Sequence, residues 1–139
     1  LARQIERLLE SPMSARRELN ALAAARLKLI LSAYHYDPMV TEKLPELELD
    51  FLGFLRSKSA LWELIESGQI PILLQQIDAP VIAIHGEDDV FDCEQTFEFL
   101  TQHISDLSTV QIRKCGHFPW LEPAARADFL QVLDCALRE

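Results

Sequence analysis

Pro80-Val-Ile-Ala-Ile-His-Gly-Glu-Asp-Asp89 is the stretch whose reading decides the fold of this chain. At Pro80 β-branched residues gather in an unalternating apolar run bounded by proline and glycine, the pattern of a strand buried on both faces in a parallel sheet. Asp92 provides an N-cap for a following helix, with Gln95 three residues on and Phe97, Phe99 and Leu100 among its apolar positions, ending near His103. Thr109-Val-Gln-Ile-Arg-Lys114 alternates and predicts a second strand, more exposed on one side and nearer the sheet edge. After Cys115-Gly-His-Phe-Pro-Trp-Leu-Glu122, Pro123 suits the first turn of a last helix whose stripe is Phe129, Leu130, Leu133, Ala136 and Leu137.

Upstream of Pro80 the pattern is helical. Residues 1–10 carry Ile5, Leu8 and Leu9 on one side, and a second helix is expected from an N-cap at Ser14 to about Tyr34, with Leu19, Leu22, Leu29 and Ile30 on its spacing. His35 to Asp50 reads as a loop with a turn or two of helix. A third helix spans roughly Phe51 to Ser67, with Leu52, Leu55, Trp62 and Ile65 on one face and Gly68 just past its end, and Ile70 to Ile77 is a short further helix.

The chain has 139 residues, 49% of them hydrophobic, which suits one globular domain with a helical appendage. A net charge of -9 opposes binding to phosphate backbones or anionic lipid, so neither nucleic acid nor membrane is expected as a partner. No apolar run approaches the length of a membrane span. Cys93, Cys115 and Cys135 are odd in number and widely spaced, which suggests neither a disulfide framework nor a zinc site and fits a reducing cytoplasm. A start at Leu1, with no Met and no signal pattern, reads as a cut inside a longer polypeptide.

A strand, a helix and a second strand make a parallel pair whose carboxyl ends emerge side by side, about 4.8 Å apart. Asp89 leaves the first end and His117 the second, on the edge where open α/β sheets bind ligands. A carboxylate beside an imidazole fixes the tautomer through the Nδ1 proton and stabilises the imidazolium, which makes the histidine a general base. The nucleophile is missing: no serine of the chain lies in a Gly-x-Ser-x-Gly elbow, and no cysteine does either.

With its Gly86-Glu-Asp-Asp89 turn and, one β-α-β unit later, Gly116-His-Phe-Pro-Trp-Leu-Glu122-Pro123, the chain resembles the C-terminal part of an α/β-hydrolase, closest to proline iminopeptidase-like serine hydrolases. The resemblance covers Ile70 to Glu139. It implies an α/β fold in which residues 70–139 are the C-terminal section of the hydrolase sheet, two strands with flanking helices, and residues 1–69 a helical lid or cap segment. It implies Asp89 as the acid and His117 as the base of a Ser-His-Asp triad, in the family's order of serine, acid, histidine. No cofactor or metal is implied. The partners implied are the missing N-terminal half of the same polypeptide, which would hold the serine, and a small ester or peptide substrate.

This chain alone is therefore expected to be inactive. A parallel pair is also too small to bury both faces, so association of copies through an exposed strand edge is expected. One departure from the family is Phe91-Asp92-Cys93, where many relatives carry proline or a small apolar residue after the acid.

Other residues read more plainly. Glu87, Asp88 and Asp92 fit solvated or capping roles, and a divalent cation held by them with Asp89 lacks the spaced loop such sites use. His85 reads as a packed or hydrogen-bonded structural residue, and His35 and His103 carry no signal. Trp120 and Phe118 fit burial under the last helix or a pocket mouth. Glu122 either bonds loop amides and holds His117 in place or is an ordinary helix-start acid. Cys115 points away from the base in an apolar setting, which excludes a cysteine-histidine pair. Glu42, Glu46, Glu48, Asp50 and Glu63 fit a solvated surface, or a negative wall for a substrate amine as the resemblance implies. A second reading, from another class, is a non-catalytic relative that binds a small molecule or a protein on the same scaffold.

Overall fold

The structure is a computed structural model and describes residues 13–45 and 48–138; the helix expected at residues 1–10 and Glu46 lie outside these. The elements in order are α1 (Met13–Leu31), a 3-10 turn (Ser32–Tyr34), a 3-10 segment (Pro38–Lys43), α2 (Phe51–Glu66), α3 (Gln69–Leu74), β1 (Val81–Gly86), α4 (Cys93–Thr101), β2 (Leu107–Ile112) and α5 (Arg126–Ala136). Helices with a small parallel sheet make this an α/β chain. None of the described helices is long and apolar enough to cross a membrane.

Two compact units divide the chain: α1 up to Leu29 with Pro45–Pro71, and Ile30–Leu44 with Ile72 onward. In the first, Asp50 caps α2 by accepting the Gly53 N–H at 3.1 Å. Asn20 Oδ1 of α1 accepts the Phe51 N–H at 3.1 Å, so two donors that a helix start leaves unpaired are satisfied. Gly68, at φ 69°, ends the helix in the left-handed conformation expected there.

The buried faces differ from the expected stripes. In α2 Leu52 is buried and Leu55 half-buried, but Trp62 and Ile65 are exposed. In α1 the shielded positions are Arg16, Leu19, Asn20, Ala23, Ala24, Leu27 and Leu31, so Leu19 lies on the covered side as expected, while Leu22, Leu29 and Ile30 are exposed. Apolar residues and alanines surround this helix, so spacing alone does not select its covered side. The helix already includes Met13, which places Ser14 inside it rather than at its cap.

In the second unit β1 and β2 pair in parallel from Val81 opposite Leu107 to Gly86 opposite Ile112. Burial deepens toward the carboxyl ends. Ile82 is 39% exposed, Ile84 is half-buried, and Ile112 is 3% exposed. Ile112, Cys115 and Ala125 form the core, with Ile84, Val110 and Phe129 packed on it. The expectation of a strand buried on both faces thus fails: β1 has one strand neighbour among the described residues, and its amino-terminal half is only partly covered.

The end of β2 and the start of the last helix depart from expectation, each by a local cause. β2 stops at Ile112 because Lys114 takes a left-handed φ of 53° and turns the chain back. The turn lets the Cys115 carbonyl accept the Asp88 N–H at 2.8 Å, while the Ile112 carbonyl accepts the Glu87 N–H at 2.8 Å. The last helix begins at Arg126 rather than at Pro123, because the Glu122 carbonyl accepts the Ala125 and Arg126 N–H groups and opens a turn first. Val132 replaces Leu130 and Leu137 in its covered stripe.

The segment Ser32–Lys43 closes over the loop after β2. Tyr34 O accepts the His117 N–H at 2.7 Å. A Cβ on Gly116 would strike Tyr34 O and lie 2.8 Å from His35 Cα, and one on Gly86 would strike the carbonyls of Cys115 and Gly116. These glycines are needed for close approach of backbones, not for turning.

Gly116→Ala is expected to destabilise the chain by about 3 kcal/mol, since backbone cannot step aside from the new methyl. Gly68→Ala, which meets open space and only the left-handed penalty, is expected to cost about 1 kcal/mol. Urea unfolding of the two variants measures the order, and a larger loss at Gly68 would remove close packing as the constraint at Gly116.

Candidate active site at the strand ends

The turn Gly86 to Val90 delivers Asp89 from β1, and the loop Arg113 to Phe118 delivers His117 from β2. The structure brings the two together: His117 Nδ1 lies 2.7 Å from Asp89 Oδ2. A carboxylate accepts only, so Nδ1 carries the proton and donates it. Nε2 is then the basic nitrogen, and it makes no hydrogen bond among the described residues.

Exposure divides the pair in a useful way. The Asp89 side chain is 5% exposed and that of His117 39%. The other oxygen of Asp89, Oδ1, accepts the Phe91 N–H at 3.1 Å, which fixes the plane of the carboxylate. The imidazole is bounded by rings: Phe118 at 4.9 Å, and Tyr34 and Phe91 at 5.5 Å between centroids. Such a pair holds a proton acceptor at fixed position on a partly apolar surface, the geometry of a general base.

Glu122 is fully buried, and it is no ordinary helix-start acid. Its Oε1 accepts the Tyr36 N–H at 2.8 Å and lies 3.2 Å from His35 Nδ1, and its Oε2 accepts the Asp37 N–H at 3.4 Å. It does bond loop amides, but those of residues 36 and 37 rather than of its own loop. By holding that segment it holds Tyr34, whose carbonyl and ring rest on His117.

His35, which carries no signal in sequence, is thus a buried partner of Glu122. Its Nε2 is a buried ring nitrogen with no hydrogen-bond partner among the described residues. Phe91, legible only as a departure from the family pattern, packs on His117 at 5.5 Å. Tyr34 is also beyond sequence reading, since nothing local marks a residue whose role is to lie against a loop some eighty positions later. Gly116 was the one available signal of that approach.

Asp92 caps α4, accepting the Gln95 N–H at 2.7 Å. Among the described residues no group of three or more His, Cys, Asp and Glu side chains is suited to a metal ion. Trp120 is half-exposed and tilted against Phe129 of α5 at 5.9 Å, so it is only partly covered by that helix.

Cys115 is fully buried, and its Sγ donates to its neighbour's carbonyl, Gly116 O, at 3.3 Å. Loss of water first, then the carboxylates of Glu122, Asp89 and Asp88, push its thiol from 9.0 up to about 11. The thiol stays protonated and unreactive at neutral pH.

Two outcomes are expected. Glu122→Gln loses about 2 kcal/mol, because one amide oxygen cannot serve all the donors and the new NH2 faces a donor. Hydrogen exchange at the Tyr36 amide then accelerates by about 30-fold if this segment opens on its own. For Cys115 the folded state holds its thiol proton more tightly than the unfolded state, so its contribution is intact below pH 9.0 and is lost as pH rises through about 11. Denaturant midpoints of the wild type against Cys115→Ala across that interval test the sign, as does alkylation at pH 8, where the exposed Cys135 reacts and Cys115 does not. Comparison of the chain with protein-family models, with curated proteins and with solved structures finds no match.

Proposed function

We propose that this chain supplies the acid and the base of a serine hydrolase of the α/β-hydrolase type, closest to esterases or proline iminopeptidase-like aminopeptidases. One observation carries the reading: His117 Nδ1 stands 2.7 Å from the shielded Asp89 carboxylate at the carboxyl ends of two parallel strands, with Nε2 left free of hydrogen bonds among the described residues. Asp89 orients the ring and stabilises the imidazolium, and His117 takes the proton of a serine hydroxyl as that oxygen attacks an acyl carbon. The same proton passes to the leaving group when the tetrahedral adduct collapses.

The serine and its oxyanion hole lie in polypeptide outside these 139 residues on this reading, since no Gly-x-Ser-x-Gly elbow occurs within them. The substrate is an ester or a peptide N-terminus. The aromatic border of Tyr34, Phe91 and Phe118 favours an apolar group beside the reacting bond.

Fluorophosphonate labelling of the longer polypeptide is the test. His117→Ala is expected to slow labelling by about 10²- to 10⁴-fold, and Asp89→Asn by about 10⁴-fold through the wrong tautomer. Labelling at an intact elbow that is unchanged in His117→Ala would remove His117 from the mechanism. An upstream elbow without its serine would leave the scaffold as a binding module.

A further inference from the structure

Asp89 Oδ2 faces two imidazoles. His117 Nδ1 is 2.7 Å away, and His85 Nε2 approaches the same oxygen to 3.8 Å. Oδ1 is taken up by the Phe91 N–H, so the two rings have one oxygen between them.

The tautomer of His85 follows from its other nitrogen. His85 Nδ1 lies 2.9 Å from Gly86 O, and a carbonyl only accepts, so this nitrogen carries a proton. A neutral His85 therefore turns a bare Nε2 lone pair toward a carboxylate. Adding one proton at Nε2 converts that contact from two acceptors face to face into a charge-assisted donor and acceptor.

We infer that Asp89 is shared, and that a proton on His85 draws Oδ2 toward His85 Nε2 and loosens its hold on His117. The proton comes from solvent, to which the His85 side chain is still 11% open. The groups around His85 are its own Gly86 carbonyl, the Asp89 loop, the Phe97 ring of α4 edge-on at 5.9 Å, and Gln111 opposite on β2. At the start of α4 stand Asp92, Cys93 and Glu94, and the Cys93 thiol is raised by burial first and then by Asp92, Glu94 and Asp89. None of these neighbours is a cation that would replace His85 at Oδ2.

His85 is by this account a positioning residue that acts on His117 through Asp89. Its bearing on catalysis rests on the reading of His117 as a base, but the hydrogen bonds themselves do not.

The test is a set of long-range proton-nitrogen spectra of the chain carrying ¹⁵N-histidine, recorded across pH, which report the protonation of each ring nitrogen. At the alkaline end His85 is expected with Nδ1 protonated and Nε2 bare. As pH falls, the downfield Nδ1–H signal of His117 moves upfield over the interval in which His85 Nε2 gains its proton. In His85→Gln and His85→Phe that inflection is lost.

A neutral His85 protonated on Nε2 would overturn the inference, as would a His117 course unchanged in both variants. The tautomer is read in the wild type, so a variant that does not fold leaves the inference exposed to disproof. Failure of fluorophosphonate labelling would count against hydrolysis and leave these spectra unaltered.

Discussion

The buried carboxylate of Glu122 is the interaction on which the arrangement of the strand-end loops depends. A carboxylate without water is costly unless donors surround it, and here two backbone N–H groups and an imidazole do so. Those donors belong to residues 35–37, so satisfying the charge requires that segment to be present and folded. In turn it places Tyr34 O on the His117 N–H, and it reaches that depth because Gly116 has no side chain. Polar satisfaction and steric access thus act on the same segment.

The paired strands add a second level of order. Parallel register puts Gly86 beside Ile112, and hydrogen bonds from Glu87 and Asp88 to the Ile112 and Cys115 carbonyls stitch the two exits together. The acid and the imidazole are consequently placed by backbone rather than by flexible side chains. On the proposed reading of His117 as a base, this preorganisation suits proton transfer, because a base held in place has no reorganisation to undergo as charge develops.

Much of this was readable from residues, and the unread part has a common cause. Pro80, the β-branched run and Gly86 marked β1, Asp92 marked the start of α4, and Gly68 marked the end of α2, because each acts within a few positions of itself. Asp89 and His117 were legible as a pair through topology: parallel strands must bring their exits together. Covered helix faces were not, since Leu22 and Leu27 look alike until a neighbour chooses between them. The role of His35 was invisible because its partner is 87 positions away. The end of β2 was misplaced by two residues because Lys114 adopts a conformation that lysine composition does not announce.

The separation that hid the His35 and Glu122 contact has a consequence in time. It closes a loop of 87 residues, whereas β1 and β2 are joined across a single helical crossover. Contacts of long separation cost more chain entropy to close, so this clasp is expected to form after the sheet pairing. An interaction made late governs the rate at which a structure opens more than the rate at which it forms. The same carboxylate that organises the loops therefore acts as a latch on their lifetime.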